Sequence, residues 1–177
     1  MTAPTLADPK DLLALEQKFD PEMRFRPLGK VTATLAGGAL ILLSLFHYYT
    51  AGFGLLQEVT HRGVHLSFVL GLIFLVFPHR KGLLEHGTGH VPWFDWLLAA
   101  AVAASVLYIP YVFEDLAFRV GNPSTLDVVM GSVLLVALLE ATRRSMGWPL
   151  PLIAIAFIAY AMAGPLFPGL LKHAGAS

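Results

Sequence analysis

VTATLAGGALILLSLFHYYTAGF, residues 31–53, carries no Asp, Glu, Lys or Arg over 23 consecutive positions. A helix that crosses a ~30 Å hydrocarbon core needs roughly 20 mostly apolar residues. The stretch therefore reads as a membrane span. Working outward from it, four further runs have the same character. The second is Val59–Phe77, whose strictly apolar part, Leu66–Phe77, is short and must recruit His61, Arg62 and His65 to reach full length. The others are Trp93–Phe113, Leu126–Thr142 and Pro149–Leu171. Hydrocarbon offers no partner for free N–H and C=O groups, so helices are the expected form. The runs are continuous, whereas barrel strands alternate over about ten residues. The fold class that follows is an all-α integral membrane protein of about five transmembrane helices. Pro110 and Pro165 are expected to kink their helices near the ends.

Composition agrees. Hydrophobic residues make up 56% of the chain and charged residues 14%, against about 45–50% and 25% in soluble domains. The net charge of zero leaves no electrostatic footprint for nucleic acid. The absence of cysteine excludes disulfides, thiolate metal sites and cysteine nucleophiles.

Residues 1–30 mix five basic with five acidic side chains and have no apolar core, so a cleaved signal peptide is not expected. Asp8 suits a helix N-cap and Pro9 the first helical position. Leu12, Leu13, Leu15, Phe19, Met23 and Phe25 supply apolar surface among the charges. A short amphipathic helix over residues 8–27, lying on the membrane surface, is the reading that follows. The expected organisation is a cytoplasmic N-terminal segment (1–30), a transmembrane domain (31–171) and a short tail (172–177).

Lys and Arg placement gives direction. Alternate connections collect nine basic residues on one side and three on the other. The positive-inside rule then puts the N-terminus in the cytoplasm and the C-terminus outside, in the periplasm of a bacterial inner membrane.

Few residues suggest chemistry. Glu58, His61 and His65 stand at i, i+3 and i+7 and share one helix face. Two histidines four apart can ligate a metal, but the glutamate placement of HExxH is missing. The plain structural reading is a polar helix end with Arg62 reaching the headgroups, and the functional one is a subunit contact. Glu140 is followed by Arg143 and Arg144 at pairing distance along a helix. Asp127 follows Asn122-Pro123-Ser124-Thr125, where Ser124 or Thr125 can cap a helix and Asp127 favours its N-terminal dipole. Asp95 has the same dipole reading. Glu114, Asp115 and Arg119 form a charged connection. His79, His86 and His90 share a loop and read as solvated. There is no Walker A motif, GxSxG or HExxH, and no paired carboxylate inside the spans. No catalytic, cofactor-binding or metal residue is assigned. The candidate subunit-interface residues are His61, Arg62, His65, Arg119, Asp127 and Glu140.

Three stretches carry a resemblance: HRGVHLSF (His61–Phe68), FRVGNPSTLDVVMGSVLLVALLEATRR (Phe118–Arg144) and GWPLPLIAIAFIAYAMAGPLFPGLL (Gly147–Leu171). Over about residues 60–171 the chain resembles the small-subunit region of tripartite ATP-independent periplasmic (TRAP) transporters. The TAXI branch is the nearest, where this region is often fused to the large permease subunit. The resemblance implies a non-catalytic membrane subunit of four core helices plus a connector. It would scaffold a large elevator-type permease and help dock a periplasmic TAXI-type solute-binding protein during ion-gradient-driven uptake. A chain stopping at Ser177 would be a separate or split subunit. The implied partners are that permease, the binding protein and membrane lipids, with no cofactor. The alternative is a stand-alone membrane redox or metal-binding protein that uses the histidines.

Overall fold

The computed structural model describes residues 25–54, 56–80, 89–119 and 121–175, together with residue 12. Helix is the dominant structure among them, and they contain no strand. In chain order the helices are α1 (Lys30–Gly52), α2 (Glu58–Val76), α3 (Trp93–Tyr111), the short α4 (Phe113–Phe118), α5 (Thr125–Met146) and α6 (Pro149–Met162). Two 3-10 turns follow, Gly164–Leu166 and Gly169–Leu171. The expected amphipathic helix over residues 8–27 lies outside the described residues, apart from Leu12 and residues 25–27.

Among the described residues four helices, α1, α2, α3 and α5, are long and apolar enough to cross a membrane. Each is 19–23 residues long, or about 28–35 Å at 1.5 Å per residue. The expected fifth span is different. Only 14 residues of it, Pro149–Met162, form a helix, giving about 21 Å. The cause is local. Pro165 has no N–H to donate and its ring opposes a helical approach to the carbonyl four residues back. Gly164 before it is a poor helix former, and Pro168 repeats the interruption. The chain then folds back on α6: the Tyr160 hydroxyl donates to the Leu171 carbonyl at 2.8 Å and the His173 amide to the Gly164 carbonyl at 3.3 Å.

Two other boundaries move. The expected fourth span, Leu126–Thr142, extends as α5 to Met146, which brings Arg143 and Arg144 onto the helix. The third ends at Tyr111, and Phe113 opens α4 instead.

The core lies among α2, α3 and α5. Leu70, Phe74, Val102, Val106, Ala137 and Ala141 are buried together, with Leu66, Ile73, Leu98, Ala99 and Leu134 packed on them. Gly63 and Pro110 set the close approach of α2 to α3. Pro110 leaves the Val106 carbonyl without its usual intrahelical donor. A Cβ on Gly63 would stand 3.3 Å from the Pro110 ring. Outside this trio, α1 packs on α2 and α6 on α5.

The two outer helices show which solvent the fold is made for. On α1, Leu35, Leu40, Ile41, Leu42 and Leu45 are each more than half exposed. Exposing one such side chain to water costs about 1.5–3 kcal/mol relative to burying it. Five on one helix would oppose folding in water on the scale of a whole domain's stability. In lipid that cost vanishes, so the exposed faces mark the membrane-facing perimeter of a multi-pass bundle.

Candidate functional site

Polar side chains gather at the two ends of the bundle. At the end where α3 begins and α5 finishes, Asp95 is fully buried. Its Oδ2 accepts from Arg26 Nη2 at 2.5 Å and its Oδ1 from Arg144 Nη1 at 2.7 Å. Arg26 is 6% exposed and Arg144 7%. Arg144 Nε also donates to Glu140 at 2.7 Å, and Arg143 makes two bonds to the same carboxylate at 2.7 Å. The guanidinium of Arg144 lies over the Phe74 ring, 4.9 Å from its centroid. Arg144 Nη1 also reaches the Phe77 carbonyl, and Arg143 Nη2 the His79 carbonyl. One network thus ties α3, α5, the exit of α2 and the segment before α1. The Arg26 amide adds a bond to the Val76 carbonyl at 2.8 Å.

Burying a charge is tolerated only when it is paired and hydrogen-bonded. Asp95 meets that condition with two guanidinium groups. His79, half-buried beside them with its ring edge-on to Phe94 at 5.0 Å, is held below the usual histidine range. Burial is the main cause, Asp95 works against it, and Arg144, Arg80 and Arg26 add to it.

At the other end Asp127 accepts from the Tyr108 hydroxyl at 2.5 Å, the Ser124 amide at 2.7 Å and Arg119 Nη1 at 3.2 Å. The Ser124 hydroxyl accepts from the Asp127 amide at 3.2 Å. This is a reciprocal capping box at the start of α5, which satisfies helix donors that would otherwise be orphaned. Close by in the chain fold, α1 and α2 bring three histidines together. His47 Nε2 and His65 Nδ1 are 2.8 Å apart, and the His47 and His61 rings are 5.0 Å apart. Glu58 and Arg62 pair with one another on the exposed face of α2.

Comparison with protein-family models, curated proteins and solved structures gives no match. What the arrangement can do must therefore be read from its own chemistry. Of the six candidate interface residues, Glu140, Asp127 and Arg119 have partners inside the chain, as does Arg62. His65 is exposed. The expected Glu140–Arg144 pair and the expected cap at Asp127 are both present. The sequence reading missed the partners of Asp95, because Arg144 and Arg26 are 49 and 69 positions away. It also missed His47. The signal for that residue was a lone histidine in an apolar run, one helix before the His61/His65 pair. Among the described residues no group of three or more His, Asp or Glu side chains is arranged to hold a metal ion.

Proposed function

We propose that this chain is the non-catalytic small membrane subunit of a TAXI-type TRAP transporter. In this reading it scaffolds the large elevator-type permease and helps dock the periplasmic solute-binding protein. The end holding Asp95 faces the cytoplasm and the end holding Asp127 the periplasm of a bacterial inner membrane. The sequence resemblance over residues 60–171 motivates the reading.

The observation that carries it is where the polar groups lie. The charged networks sit at the bundle ends. Among the described residues the core between them, centred on Phe74, Val102 and Val106, holds no charged group and only the buried hydroxyls of Ser67 and Ser105. A core of that kind suits a rigid support better than a solute path. Small residues on the perimeter add to it. A Cβ on Gly37, Gly38 or Gly131 would meet open space, so these helix faces are unpacked within the chain. Helix association in lipid relies on such close-approach surfaces. Direct evidence would come from expressing the large permease and binding protein with and without this chain and measuring solute uptake. Uptake and assembly that do not depend on the chain would reject the reading.

The second reading, a membrane redox or metal-binding protein, draws on the meeting of His47, His61 and His65. Metal analysis and a visible spectrum of the purified protein test it. Stoichiometric metal or a haem Soret band would favour it over the transporter subunit.

A further inference from the structure

The geometry points to a proton-operated latch between α1 and α2, made by His47, His61 and His65. It does not rest on the transporter reading. The bond between His47 Nε2 and His65 Nδ1, at 2.8 Å, is the one polar side-chain contact between these two helices among the described residues. It requires one ring nitrogen that carries a proton and one that does not. A neutral pair satisfies this. So does a pair with one added proton, since an imidazolium then donates to a neutral ring in a charge-assisted bond. A second added proton places N–H groups on both facing nitrogens. The bond is lost and two cations face each other with ring centroids 5.0 Å apart. His61, equally close to His47, adds a third site for positive charge.

The surroundings leave this balance to the histidines. On α2, Glu58 and Arg62 cancel one another as a pair. On the α3–α5 side, Asp127 is held by Tyr108, Ser124 and Arg119. On α1, Phe46 packs its ring against His61 at 5.1 Å and contributes no charge. A cavity of about 480 Å³ lined in part by His47 and His61 gives protons a route from solvent. The helix that would move is weakly held: α1 buries only Ala36, Leu43 and Thr50. Histidine is the side chain whose ordinary pKa, about 6.5, lies where such a switch can operate. Acidification therefore swings the Gly52 end of α1 away from α2, while α2, α3 and α5 keep their packing.

The chain contains no cysteine, so spin labels go only where they are placed. Tyr48 on α1 and Tyr111 on α3 are 73% and 88% exposed. The Y48C/Y111C protein, labelled and reconstituted in lipid nanodiscs, is titrated from about pH 8 to about pH 5, across the histidine range. The label separation is expected to lengthen on acidification. His65→Gln accepts from His47 in either protonation state and is expected to hold the short separation throughout. His47→Gln is expected to abolish the transition too, whichever separation it adopts. His90→Gln, outside the cluster, should leave the transition intact. No change in the parent protein overturns the latch, as does an unaltered transition in either cluster variant, or its loss in His90→Gln.

Discussion

Asp95 shows what a sequence hides at the scale of one residue. Its position in the first turn of α3 was legible, and an acidic side chain there does favour the helix dipole. Its burial and its two guanidinium partners were not, because they depend on where residues 26 and 144 arrive after the chain has crossed the bundle several times. The energetics set the stakes. Removing one partner of a buried ion pair leaves a stranded charge at a cost of about 3–5 kcal/mol. Asp95→Asn strands Arg26 more than Arg144, which keeps Glu140. The variant is expected to lose stability on that scale, read as a lower thermal unfolding midpoint in detergent. An unchanged midpoint would mean the network contributes little. His79 gives a second expectation. Its folded pKa is depressed, mainly by burial, so the unfolded chain takes up the proton first. Stability from this group is full above the unfolded value, about 6.5. It declines as pH falls from there towards the folded value, because the unfolded state binds more protons in that window. His79→Gln should flatten this part of the stability profile relative to the parent protein. An identical slope in both would assign the dependence elsewhere.

At the scale of elements, the parts that read most clearly are those decided by neighbours in sequence. The start of α5 is one. Ser124 and Asp127 stand three apart, and the reciprocal cap forms where their spacing places it. Ser124→Ala removes one acceptor and is expected to cost about 0.5–2 kcal/mol. Asp127→Ala should cost more, since Asp127 also holds Tyr108 and Arg119. Thermal melts of the two variants test that order, and equal losses would show that the interhelical bonds add nothing. The far end of α5 depends on Gly147, whose φ of 88° and ψ of −168° lie in a region that only glycine enters without strain. Gly147→Ala is expected to destabilise by about 1–3 kcal/mol and to disturb how α6 leaves α5. The boundary of α6 was less legible. Its apolar run continues to Leu171, and hydropathy alone cannot register that Gly164-Pro165 and Pro168 end the helix and turn the chain back.

The whole molecule brings these scales together in the question of α6. Four helices have the length to cross, and they alternate in direction, so the basic residues of Arg143 and Arg144 fall at the same end of the bundle as Arg26, Lys30 and Arg80. In the proposed orientation that end faces the cytoplasm, as the positive-inside rule favours. On that proposal the last helix begins at the cytoplasmic end and runs towards the other face, yet its ~21 Å falls about 9 Å short of the ~30 Å hydrocarbon core. A short span is accommodated by local thinning of the bilayer or by a partner that covers its end. Lys172, a single basic residue close behind it, weighs little against the Arg143/Arg144 pair that precedes it. The expected outcome is that α6 crosses in this shortened form. Single cysteines at Tyr111, Trp148 and Lys172 can be probed with an impermeant maleimide in intact and inverted membranes, against a cysteine-free background. Tyr111→Cys should label from the outside and Trp148→Cys from the inside, and Lys172→Cys should follow Tyr111→Cys. If it follows Trp148→Cys, α6 is a re-entrant or interfacial helix, and the five-crossing arrangement fails while the four-helix bundle stands.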